Sequence, residues 1–164
     1  MRSAHSRNIF VAVDESTHSV AAFVWVLEYI KLADGDIVTV VVGIDSESER
    51  ATTLERIKSL IRAIADPYHL KYQYAVQIII SGGGGFGAKL VELVDEKLPD
   101  LLVLGSAGKS HMECFFVGSV SNYAILYANV PVIVARLTPA DEVQAEKNAA
   151  SKSLSPMFNH PLWL

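Results

Sequence analysis

Short apolar, β-branched runs alternate along this chain with longer segments whose apolar residues recur at helical spacing. The pattern predicts a first strand over Asn8 to Val13. A first helix follows from about Ser16 to Leu32, with Val20, Phe23, Val24, Leu27 and Ile30 on one face and Ser16 or Thr17 as N-cap. Strand 2 is read as Ile37 to Ile44. Helix 2 carries Leu54, Ile57, Leu60, Ile61 and Ile64 and ends before Pro67. Strand 3 covers about Lys71 to Ile80, and helix 3 carries Leu90, Leu93, Val94 and Leu98. Strand 4 is Leu101 to Leu104. Helix 4 starts near Gly118 with Val120, Tyr123, Ala124 and Tyr127 as its apolar set, and strand 5 is Val132 to Ala135. Apolar strands between amphipathic helices predict an α/β fold with a mostly parallel sheet covered on both faces. In such open sheets ligands bind beyond the C-terminal ends of strands, where the strand order reverses. Asp14, Asp45 and a glycine motif after strand 4 all fall at that end. The alternation stops after Arg136, which divides the chain into a domain over 8–136 and a tail over 137–164. The tail is polar at first and ends in large apolar residues. It is expected to be mobile, with a docking segment as the alternative.

Composition narrows the class. At 164 residues, 51% apolar and 20% charged, the chain has the length and make-up of one globular domain. No apolar run approaches the roughly 18 residues of a membrane span, and the polar stretch Met1 to Arg7 lacks an apolar signal core, so no membrane partner is expected. The single cysteine, Cys114, has no internal partner for a disulfide, which fits a reducing, cytoplasmic setting. A net charge of −4 without a basic stripe argues against nucleic acid as a partner. It does not argue against a nucleotide, because backbone N–H groups hold phosphates without side-chain charge.

The motif after strand 4 reads Gly105-x2-Gly108-x9-Gly118-Ser119. Glycines at a strand end let backbone approach a ligand closely, and the start of a helix offers N–H groups and a positive dipole end to an anion. Two other glycine patterns compete. Gly108-Lys109-Ser110 resembles the end of a P-loop, but that loop needs a glycine where Val103 stands, inside the strand. Gly82, Gly84 and Gly87 meet a dinucleotide-binding spacing, but the next strand ends in Leu104-Gly105 rather than in the acidic residue that would hold the ribose. The bland reading there is a flexible loop. Asp14, across the presumed switch point from the Gly105–Gly118 motif, can accept hydrogen bonds from ribose hydroxyls. Alternatively it satisfies backbone donors at the start of helix 1.

These segments together resemble the universal stress protein family: Val11-Ala12-Val13-Asp14-Glu15-Ser16, Val42-Gly43-Ile44-Asp45, the long-spaced glycine motif and Val130-Pro131-Val132-Ile133-Val134. The resemblance spans Asn8 to Arg136. It implies a five-stranded parallel sheet of order 3-2-1-4-5 with helices on both faces, Rossmann-like and similar to the adenine nucleotide α-hydrolases. It also implies binding of ATP (or ADP or AMP) with Mg²⁺. By position, Ala12, Val13 and Asp14 would border the adenosine. Leu104, Gly105, Ala107 and Gly108 would line ribose and phosphates, Lys109 would neutralise phosphate charge, and Gly118, Ser119, Val120 and Ser121 would hold the phosphates. Gly43 stands where the family usually carries a larger apolar residue against the base, and His111 replaces a frequent glycine. The resemblance further implies a homodimer through strand 5 (Val130, Val132, Val134), whose open edge pairing would hide.

Other chemistry is not signalled. No G-x-S-x-G elbow occurs, and His5, His18, His69, His111 and His160 show no metal-ligand spacing, so they read as surface histidines and no catalytic or metal residue is assigned. The leading expectation is an ATP-binding stress-response protein acting as a nucleotide-dependent switch or interaction module, with an unknown protein partner and no efficient turnover. The alternatives are a nucleotide-independent dimeric interaction protein and a slow ATPase.

Overall fold

A computed structural model describes residues 6–68, 73–106 and 117–136 of the chain. Five strands, β1 (Asn8–Ala12), β2 (Ile37–Ile44), β3 (Gln73–Ile80), β4 (Leu101–Gly105) and β5 (Val132–Ala135), form one sheet of order β3-β2-β1-β4-β5. Every neighbouring pair is parallel. Four helices fill the crossovers: α1 (Thr17–Tyr29), α2 (Arg50–Ala65), α3 (Gly85–Lys97) and α4 (Ser119–Tyr127). The expected α/β class and strand order are therefore present, with β5 and β3 at the edges. Strand order reverses between β1 and β4, since the chain first builds outward through β2 and β3 and then returns to the other side of β1.

Side chains alternate across the sheet and both alternations are apolar, which is why the strands read as continuous hydrophobic runs. Ile9, Val11 and Val13 of the β1 segment join Val38, Val40, Val42 and Val103 under Phe23, Val26 and Leu27 of α1 and Ile57 and Ile61 of α2. Phe10, Ala12, Val41, Leu102 and Leu104 point the other way, against Leu90, Val91 and Val94 of α3 and Ala124 of α4. At the N-terminal end of the sheet, Asp36, only 1% exposed, accepts hydrogen bonds from the backbone N–H groups of Arg7 (2.9 Å) and Ala33 (2.8 Å) and from Arg7 Nε (3.1 Å). The guanidinium hydrogen bond outweighs the cost of burial and holds this carboxyl at a pKa of about 2.

Boundaries and faces depart from the sequence reading in places. β2 runs over the expected residues, while β1 ends at Ala12. Val13 is nevertheless buried and donates to Val41 O at 2.9 Å. Of the two candidate caps for α1, Ser16 is the one used: its Oγ accepts from Ser19 N at 3.3 Å. α1 ends at Tyr29 rather than at Leu32. Leu98, expected on the core face of α3, is its C-cap in the left-handed region (φ 45°) and is 66% exposed. The residues expected to face the core from α4 do so only in part. α4 buries Ser121 and Ala124, whereas Tyr127 is 57% exposed and stacks obliquely on Tyr123, with ring centroids 4.5 Å apart. Strand 3 is described only from Gln73, and the tail over 137–164 lies outside the described residues.

Candidate functional site

Three chain segments meet beyond the C-terminal ends of β1 and β4. The first is the turn Asp14-Glu15-Ser16. Asp14 Oδ1 accepts from Ser16 N at 3.1 Å, and Asp14 N donates to Ser19 Oγ at 3.1 Å, so the carboxylate does satisfy a backbone donor at the start of α1. Glu15 sits between them with φ 63°, a left-handed conformation that costs a non-glycine residue about 1 kcal/mol or more. Its carboxylate is held from outside by Arg56 of α2, with Nε to Oε1 at 2.6 Å. The backbone at Asp14 is thus fixed by a strained residue, an ion pair and the capping of α1.

The second segment is the end of β4. The sequence reading gave Gly105 to a ligand. The structure gives the space beside it to α1: a Cβ built on Gly105 would lie 2.6 Å from the carbonyl carbon and oxygen of His18 and 2.9 Å from Ser19 N. This glycine lets a helix and a strand touch backbone to backbone. The next residue, Ser106, is tied at both main-chain groups, donating to Ala135 O at 3.0 Å and accepting from Gly118 N at 2.8 Å. Its Oγ lies 3.3 Å from His18 Nδ1. His18, read from sequence as a surface residue, is half-buried at this junction.

The third segment is the start of α4. Gly118 is the N-cap and carries no side chain with which to cap the helix. The N–H groups of Ser119, Val120 and Ser121 form a first turn with a positive dipole end and, among the described residues, no side-chain capping acceptor. Ser121 contributes its N–H but not its hydroxyl proton. That hydroxyl is buried and donates to Gly105 O at 2.7 Å, binding α4 to β4. Ala12, Val13 and Leu104 are buried as well, so any ligand at this end meets their main chain rather than their side chains. Ala107, Gly108 and Lys109 lie outside the described residues, as do Ser110, His111 and Cys114.

Gly43, at the C-terminal end of β2, brings in a residue the sequence reading passed over. The Phe86 ring lies where a side chain would start: a Cβ on Gly43 would stand 2.6 Å from Phe86 Cδ2 and 3.0 Å from Cε2, while Gly43 itself stays exposed. Phe86 belongs to the first turn of α3, directly after the glycine run. That run, the connection between β3 and α3, is a 3-10 turn over Gly82–Gly84 followed by Gly85 at φ 74° and ψ 155°. Gly87 packs on α4, 3.6 Å from Val120 Cα by the same measure. The signal in sequence was the glycine at 43, but its partner lies far along the chain and becomes evident only once α3 is folded over the sheet.

The fold and this junction define a doubly wound α/β protein with a glycine-capped helix start and a carboxylate turn at its switch point. The model of the universal stress protein family matches residues 5–136, and the chain belongs to that family. An uncharacterized protein of Schizosaccharomyces pombe, C167.05, is 31% identical over 148 residues, 82% of this chain; the chain spans 24% of that relative's length. Among solved structures, UspA from Lactobacillus plantarum shares the fold at 21% identity, with a TM-score of 0.60 over 82% of this chain and 100% of that one. A universal stress protein family protein from Arabidopsis thaliana with AMP bound matches at 19% identity and a TM-score of 0.57, over 82% of this chain and 94% of that one. A universal stress protein from Archaeoglobus fulgidus in complex with dAMP matches at 20% identity and 0.56, over 79% and 97%.

Proposed function

We propose that this chain binds an adenine nucleotide at the junction of β1, β4 and α4 and uses nucleotide occupancy to set its interactions with a protein partner. The observation that carries the reading is the glycine-capped first turn of α4 opposite the braced Asp14 turn, on either side of the strand-order reversal. Phosphates fit the first, since the N–H groups of Ser119, Val120 and Ser121 and the helix dipole favour an anion there. A ribose fits the second, since the Asp14 carboxylate accepts hydrogen bonds from hydroxyls. The AMP and dAMP complexes of the structurally similar proteins support the same choice of ligand.

The residues present fit such a ligand by main chain more than by side chain. Ala12 and Val13 would line the adenosine with backbone. Leu104 and Gly105 would form the floor beneath ribose and phosphates, and Gly118 would allow close approach at the helix start. By the family resemblance, Lys109 would add a counter-charge and Ala107 and Gly108 would serve the ribose and phosphates. ATP, ADP and AMP all meet these requirements. Mg²⁺ would be carried mainly by phosphate oxygens and water, as is usual for that ion; among the described residues no group of three His, Cys, Asp or Glu converges on a metal position. Isothermal titration with Mg-ATP, ADP and AMP tests the reading. Micromolar to submillimolar binding that weakens at least tenfold in Gly118→Val supports it, and no detectable binding at millimolar nucleotide refutes it.

A homodimer through β5 belongs to the same proposal. β5 is a sheet edge carrying Val132 and Val134, with Val130 just before it, and the neighbouring α4 exposes Ile125, Leu126 and Tyr127. Pairing two such edges would remove an unpaired ladder and cover these residues.

A further inference from the structure

We propose that Phe86 supplies the base-facing wall of the nucleotide site, acting in place of a side chain at position 43. This rests on the nucleotide reading above. Phosphates at the start of α4 beside β4, and a ribose at Asp14 beyond β1, direct the base along the same row of strand ends to the next strand, β2. The distance from β4 to β2 is two strand spacings, about 10 Å. One residue before the end of β2 stands Gly43, which has no side chain to offer. A planar base needs an apolar surface there, since base sites are lined mainly by hydrophobic and aromatic groups. Phe86 provides one. Its ring overlaps the volume that a branched side chain at position 43 would fill, because even a Cβ there would stand only 2.6 Å from the ring. It is half-buried, packed on the Phe10, Ala12 and Val41 layer and still partly open to solvent.

The local sequence is built to put the ring there. Gly85 has φ 74° and ψ 155°, a region open essentially to glycine alone, and this conformation directs the chain into α3 immediately before Phe86. Gly87 allows the first turn of α3 to lie against Val120 and Tyr123 of α4. Two glycines flank the aromatic residue and a third, Gly43, receives it. The wall therefore stands on α3 rather than on β2, next to the helix start that takes the phosphates. An aromatic face recognises a base through its π-surface and not through hydrogen bonds. The chemistry selected is thus a nucleotide with a stacked or edge-packed planar base, with limited discrimination among purines.

The test uses four proteins: the unaltered chain, Phe86→Ala, Gly43→Val and the double variant Gly43→Val/Phe86→Ala. Each is titrated with AMP and with ribose 5-phosphate, which lacks the base, after circular dichroism has shown that it is folded. Phe86→Leu replaces Phe86→Ala if the alanine variant does not fold. The expected result is AMP binding about tenfold weaker in Phe86→Ala, and weaker also in Gly43→Val, whose side chain expels the ring. The double variant recovers to within about threefold of the unaltered chain, because valine then forms the wall itself. Ribose 5-phosphate affinity stays the same across the set. Equal AMP affinity in the unaltered chain and Phe86→Ala overturns the proposal, as does a loss that ribose 5-phosphate shares, which would make Phe86 a packing residue only. Failure of the unaltered chain to bind AMP instead overturns the nucleotide reading itself.

Discussion

Replacing Gly105 by alanine tests the junction most directly. The added Cβ meets three main-chain atoms of α1, two at 2.6 Å and one at 2.9 Å, where ordinary contact begins near 3.4 Å. None of the three belongs to a flexible side chain. β4 cannot retreat either, since it is paired with β1 on one side and β5 on the other. The first turn of α1 has to move by several tenths of an ångström. Inserting one methyl group into a packed site of this kind costs about 1–3 kcal/mol, and the rigid neighbours put Gly105→Ala at the upper end. The lower unfolded-state entropy of alanine offsets up to about 1 kcal/mol of that, which leaves a net loss of about 2 kcal/mol. In a domain of this size the melting temperature falls by about 4–8 °C. Gly84→Ala is the matched control. It has φ −90° and nothing within 4 Å of a built Cβ, so the entropy gain acts alone and stability is unchanged or rises slightly. Urea denaturation of both variants gives the comparison, with equal slopes showing that the denatured states match. Because α1 carries Ser19, which accepts from Asp14 N, Gly105→Ala also weakens AMP binding. If Gly105→Ala and Gly84→Ala have the same midpoint, the backbone contact is not a constraint and the account of Gly105 given above is wrong.

Ser121→Ala leaves Gly105 O buried without its hydroxyl partner and lowers stability by about 1–2 kcal/mol in chemical denaturation, whether or not nucleotide is present. The charge of Asp36 is favoured by folding, with its pKa depressed from 3.8 to about 2. The resulting stabilisation, on the order of 2 kcal/mol, is complete above about pH 4 and disappears as pH falls through about 2. Asp36→Asn accordingly flattens the acid limb of a stability-against-pH curve, and an unchanged limb would contradict the assignment. Sedimentation at tens of micromolar protein is expected to show a dimer that Val132→Lys dissociates; a monomer in the unaltered chain would reject the β5 interface. Any phosphate release from Mg-ATP belongs to this site if Gly118→Val abolishes it, and to a contaminant if activity survives.

The parts of the fold legible in sequence are those where one physical signal dominates. β2 is readable to the residue because a β-branched run, interrupted only by Gly43, lies between two turn signals. The order of helices and strands, and with it the parallel sheet, follows from the change of hydrophobic period along the chain. α4 was harder. Val120, Tyr123, Ala124 and Tyr127 keep helical spacing, yet a short helix over β4 and β5 buries little beyond Ser121 and Ala124, and periodicity does not report how much sheet there is to cover. Glycines were legible as positions but not as reasons. Nothing at Gly105 indicates that its neighbour is α1, and nothing at Gly43 indicates Phe86. The left-handed Glu15 was hidden for a related cause: its residue type gives no hint of positive φ, and the Arg56 ion pair that braces it comes from another helix.

The bond from Gly118 N to Ser106 O has a consequence for how this site can vary. It joins the two ends of the segment between β4 and α4, so the chain leaves the sheet and returns to it at a single anchored point. The anchor itself is made by main-chain atoms at those two ends. The entropy of closing such a span grows only slowly with its length, with each doubling costing about 0.6 kcal/mol. In closure entropy alone, a change in the length of the segment between Ser106 and Gly118 therefore costs the fold little. Selection can change what this end of the molecule recognises while the sheet beneath it is inherited intact.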